Sequence, residues 1–133
     1  MSLDDTNMVL IDRDSVCAGD DTEPHQTDLR ISPSATIADL LALVAQRHYL
    51  ASISGGKATW LIEVPGLPKS VIGVAAQQWN APRLLIPSAT PLSVLFPTDR
   101  KPSLFFRYWL QSDPDLVFSH LQAGKEPPDR HSR

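Results

Sequence analysis

The chain has 133 residues, 42% of them hydrophobic and 20% charged, with a formal net charge of −3. That length suits one domain burying roughly two thirds of its surface, and the composition excludes a disordered chain. The acids gather at one end: residues 1–28 hold eight acids and one base, the remainder eleven bases and seven acids. With the bases scattered and no basic tract, nucleic acid is excluded as an expected partner.

A single cysteine, Cys17, leaves no intramolecular disulfide and suits a reducing compartment. The N-terminus is acidic rather than basic and then apolar, and the apolar runs fall well short of the roughly 20 residues that span a bilayer. The expectation is a soluble cytoplasmic protein without a membrane partner. Residues 1–7 read as a disordered N-terminus or cloning remnant, 8–124 as one α+β domain, and the charged, proline-containing stretch 125–133 as a disordered tail.

Residues 8–16 begin with the apolar run Met8-Val9-Leu10-Ile11 and then turn polar, as a strand entering a loop does. Cys17 to Pro24 has turn composition, and Thr27 to Ile31 alternates polar with apolar. Together they predict an opening hairpin with a long acidic connection. Thr36 is placed to cap a helix, with Asp39 completing a capping-box analogue. Ile37, Leu40, Leu41 and Val44 then form one apolar stripe, and Arg47 and His48 fall in the last turn, where the helix dipole favours bases.

Ser54-Gly55-Gly56-Lys57 turns the chain into two strand-like runs, 58–64 and 70–77, joined by the hairpin loop Pro65 to Lys69. Trp60, Ile62 and Val64 share one face, Leu61 and Glu63 the other, and Gly73 marks a bulge or a close backbone approach. Arg83 to Ile86, between Pro82 and Pro87, is a candidate for one more short strand. Thr90-Pro91-Leu92 offers a cap residue and then proline at the first helical position, which predicts a single helical turn. Ser103 to Trp109 is the most strand-like run, with Leu104, Phe106 and Tyr108 on one face. Asp113-Pro114-Asp115 opens a final short helix through Leu121, with Gly124 placed to end it.

Strand, strand, helix, strand, strand, short strand, helical turn, strand is an order that resembles a ubiquitin-like β-grasp domain. Leu29 to Leu41, a strand running into a Thr-capped helix, looks like the second strand and helix start of that family, and Leu92 to Tyr108 like its closing turn and last strand. The resemblance implies an α+β fold with a mixed sheet of about five strands packed on one main helix, plus an added C-terminal short helix. Two features depart from the family: a longer hairpin over 58–77 and the helix over 113–121. The chain ends Arg130-His131-Ser132-Arg133 rather than Gly-Gly, so conjugation or sulfur-carrier chemistry through the terminus is not expected.

No recognisable catalytic constellation appears, and the reading leans away from an enzyme. Asp12, Asp14, Asp20, Asp21 and Glu23 with His25 hold oxygen and nitrogen donors, of which Asp20, Asp21 and His25 are weak candidates for a divalent ion. Their spacing matches no EF-hand loop, and a solvated turn accounts for them better. Cys17 sits among acids that disfavour its thiolate, and nothing in the sequence brings His25, His48 or His120 to it. The glycines before Lys57 lack phosphate-loop spacing and precede a strand, and Ser15, Ser52 and Ser54 lack a nucleophile-elbow context. Trp79 lies in the polar stretch Gln77 to Pro82, where a large aromatic has no obvious core partner. It becomes the leading binding candidate, with Arg83 and Arg107 as flanking cations. The expected function is a non-enzymatic protein–protein interaction module with an unidentified protein partner and no cofactor. The alternative is a small-molecule or divalent-metal-binding domain using the acidic 12–28 segment. A homodimer formed through the sheet is a third reading.

Overall fold

The computed structural model describes residues 7–15, 24–51 and 56–128. Among these residues nine elements follow in chain order: strands β1 (Asn7–Arg13) and β2 (Thr27–Ile31), helix α1 (Ile37–Gln46), strands β3 (Thr59–Glu63), β4 (Val71–Ala76) and β5 (Arg83–Leu84), helix α2 (Leu92–Leu95), strand β6 (Ser103–Tyr108) and helix α3 (Pro114–Gln122). The fold is α+β, and its mixed sheet has six strands in the order β2-β1-β6-β3-β4-β5 rather than about five. The added strand is the short Arg83–Leu84 run, which pairs antiparallel with β4 through Gly73 and Val74.

The opening hairpin forms as the alternation requires, with β1 and β2 antiparallel from Asn7↔Ile31 to Ile11↔Thr27. β1 runs parallel to β6, and β3 antiparallel to both β6 and β4. One sheet face carries the main core. Val9, Ile11, Leu29, Trp60, Ile62, Leu104 and Phe106 meet the α1 stripe of Ile37, Leu40, Leu41 and Val44, all buried. Each such aliphatic burial stabilises the fold by roughly 1.5–3 kcal/mol.

Local chemistry fixes the ends of α1. Asp39 N–H donates to Thr36 Oγ1 at 3.2 Å and Thr36 N–H to Asp39 Oδ2 at 2.9 Å, a complete capping box. The helix closes one residue before the expected bases: Arg47 is its C-cap, and His48 follows with φ +50. His48 N–H bonds Ala45 O and Tyr49 N–H bonds Val44 O, a Schellman closure that normally uses glycine at the left-handed position. The same closure ends α3, where glycine does fill that position: Gly124 N–H bonds Leu121 O and Lys125 N–H bonds His120 O.

At α2 Pro91 is the N-cap rather than the first helical residue, and no side chain caps the turn; the Thr90 hydroxyl donates instead to Pro87 O at 2.6 Å. The bulge expected near Gly73 is present as a register shift between Ile62 and Glu63. Asp113 caps α3 through Asp115 N–H, and α3 lies on the second sheet face, where Val117 packs on Leu61 and Val74. From the tail expected to be disordered, residues 125–128 are described, and Trp109 Nε1 donates to Pro128 O at 2.7 Å. Among the described residues, no helix is long and apolar enough to cross a membrane.

Candidate functional site

The corner where β4 ends and β5 begins gathers the chemistry. Past Ala76 the chain turns tightly: Gln77 N–H returns to Ala58 O at 2.8 Å and Trp79 N–H to Ala76 O at 3.0 Å. Gln77 Oε1 accepts from Ala58 N–H at 3.3 Å, which ties the turn to the start of β3. This brings Trp79 half-buried against the Leu61, Val74 and Val117 cluster. β5 then carries the chain back beside β4 with Arg83 opposite Val74, on the sheet face that α3 covers.

The Arg83 guanidinium carbon lies 4.1 Å from the centroid of the Trp79 ring, and Arg83 Nη1 donates to Asp115 Oδ1 at 2.8 Å. Half of the Arg83 side chain remains in solvent (51%), so the ion pair itself adds little stability. Its effect is positional: a flat cation is held over an indole face, an arrangement worth about 0.5–1 kcal/mol at an exposed site.

Beneath the same corner, on the α1 side, opens a cavity of about 300 Å³ lined by Leu41, Val44, Trp60, Ala75, Phe106 and Tyr49, with Gln77, Trp79, Pro82 and His48 among its other walls. Its aromatic walls pack together. Tyr49 and Phe106 lie 6.1 Å apart between centroids, and Trp60 is backed by Tyr108, outside the lining, at 4.9 Å. The Tyr49 hydroxyl donates to His25 O, and Arg13 Nε donates to Tyr49 O at 3.1 Å. Burial, and then the negative charge of Asp12, push the Tyr49 phenol well above its ordinary pKa; burial likewise raises Tyr108. Neither phenol is poised as an acid or base near neutral pH.

The sequence-predicted residues separate into two groups. Trp79 and Arg83 do meet. Arg107 belongs elsewhere: on β6 it makes a two-pronged bond to Glu63, at 2.7 and 3.2 Å, and lies 5.2 Å from the Phe105 ring. That carboxylate hydrogen bond raises the pKa of the Arg107 guanidinium further. Sequence reasoning missed the partners Asp115 and Glu63 and the cavity walls. Glu63 was within reach, since it shares the Leu61 face that pairs with Arg107; Asp115 was not, because only the docking of α3 brings it to Arg83.

Of the weak metal candidates, Asp20 and Asp21, like Cys17, lie outside the described residues. His25 Nε2 lies 3.1 Å from Ser15 Oγ. Ser15 is exposed at the end of β1, so this pair has no water-excluded seat for a reacting group. Among the described residues no group of three or more His, Cys, Asp or Glu side chains is placed to hold a metal ion. Comparison with known proteins finds no matching family model, no matching curated protein and no matching solved structure.

Proposed function

We propose that this chain is a non-enzymatic protein-interaction module of β-grasp type whose contact surface is the Trp79–Arg83 corner. The observation that carries the reading is the half-buried indole at a cavity rim with an accessible guanidinium stacked 4.1 Å above it. Tryptophan and arginine dominate binding hot spots because the indole presents a rigid amphipathic face and the guanidinium a planar fork of donors, here already held by Asp115. The β-grasp reading is supported by the parallel β1–β6 pair inside the sheet, the β1–β2 hairpin at one edge, the β3–β4 hairpin beyond β6, and one main helix across one face. A cytoplasmic setting belongs to the same proposal.

Capture of the partner from the source cell's lysate tests it, with the full chain as bait beside Trp79→Ala and Arg83→Glu. A partner held in stoichiometric amount by the wild type and lost by both folded variants supports the module. Equal capture by all three removes the proposed surface.

A further inference from the structure

We propose that the cavity where β5, the β3–β4 loop and the end of α3 meet holds a medium-chain aliphatic carboxylate, with its chain against aliphatic walls and its head on Lys69. The site lies along β5 from Arg83, at the other end of α3 from Asp115, and stands independently of the function proposed above.

The sheet ends at β5, and its two faces carry separate clusters. Leu67, Leu84 and Ile86 pack on the main core, Val71 and Leu121 on the cluster under α3. These five side chains are only half-buried, and with Leu95 they line one space of about 350 Å³. That is the size of a small-ligand cavity. Its walls all belong to the stretch 56–128, which is described throughout. The chain past Gly124 turns away from this end of α3: Glu126 O lies 3.2 Å from His120 Nδ1, and Trp109 Nε1 donates to Pro128 O at 2.7 Å.

The lining selects the ligand. It holds no aromatic ring and no carboxylate, so it favours neither a stacked ring nor a cation. Lys69 is its one charged residue; it is exposed and makes no ion pair among the described residues. A lysine on such a wall lays its methylenes along the apolar surface and keeps its ammonium at the rim. The carbonyls that end α3 would repel an anion, but they are bonded: Leu121 O accepts from Gly124 N–H and His120 O from Lys125 N–H. At roughly 30 Å³ per heavy atom, a liquid-like density, the cavity takes about eleven atoms, which fits a carboxylate ending a chain of about eight carbons.

Titration calorimetry and thermal melts of the full chain with sodium octanoate test the site. Octanoate is expected to bind at one site per chain and to raise Tm. Butyrate, with its shorter chain, should bind about 100-fold more weakly, at roughly fourfold per buried methylene. Lys69→Met keeps the stem and removes the charge. It should weaken octanoate about three- to fivefold and leave octanol unchanged. Leu67→Trp or Leu121→Trp, whichever circular dichroism shows to be folded, should fill the cavity and abolish binding of both. No saturable octanoate binding at millimolar concentration overturns the proposal. So does octanoate binding that Lys69→Met leaves unchanged, or that survives in the folded cavity-filling variant.

Discussion

Gly73→Ala is expected to destabilise the protein, although alanine is ordinarily the better residue in extended backbone. Removing glycine from a strand should stabilise by about 0.5–1 kcal/mol, because the unfolded chain loses freedom. Here the new Cβ would lie 2.6 Å from Arg83 O, 2.9 Å from Leu84 Cδ2 and 3.3 Å from Leu84 Cα. The leucine methyl can rotate away. The carbonyl cannot, so β5 must retreat by about 1 Å to reach ordinary contact. Gly73↔Leu84, Val74↔Arg83 and the Leu85 N–H to Ile72 O bond at 2.7 Å join β5 to β4. Overpacking of this kind costs about 1–3 kcal/mol. The net expectation is a loss of about 1–2 kcal/mol, a fall in Tm of roughly 3–8 °C for a domain of this size. Urea unfolding should show a lower midpoint at unchanged slope. A Gly73→Ala variant as stable as the wild type, or more so, would refute the close approach of β5. Because Arg83 heads β5, the same displacement should also weaken binding at the Trp79 corner.

His48→Gly should act in the opposite direction. It relieves a non-glycine residue of φ +50 at the closure of α1 and should stabilise by about 0.5–1 kcal/mol net of unfolded-chain entropy; thermal melts check this, and no gain would contradict it. The raised phenol of Tyr49 gives an alkaline signature. A group whose folded pKa lies above its unfolded value of about 10 contributes stability fully present below that pH and lost as pH rises further. Melting temperature should therefore hold up to about pH 9 and fall beyond pH 10. In Tyr49→Phe the alkaline fall should be shallower, the remainder belonging to Tyr108; an unchanged slope would count against the partial burial of Tyr49.

Much of the fold was legible because its signals are local. The Thr36–Asp39 box, the four-residue stripe of α1, the alternation through Trp60, Ile62 and Val64, and the Asp113-Pro114 start of α3 each act within a few residues. Gly73 was readable as a special position for the same reason, since only a close neighbour rewards glycine in a strand. Pro91 was misplaced by one position because a single turn offers no periodicity to fix its start. The Trp79 site was half legible. An indole in a polar stretch drew notice, but the hand that holds its cation, Asp115, comes from α3, whose docking on the second sheet face is a long-range choice. Arg107 was grouped with Trp79 by composition alone, whereas its β6 position assigns it to Glu63.

Titration calorimetry of the captured partner against wild type, Trp79→Ala and Arg83→Glu tests the central claim most directly. If the corner is the contact surface, Trp79→Ala should cost about 2 kcal/mol or more, a loss of affinity near 30-fold. Arg83→Glu should cost at least tenfold as the stacked cation is replaced by an anion beside Asp115. Affinities within twofold of wild type for both folded variants would contradict it.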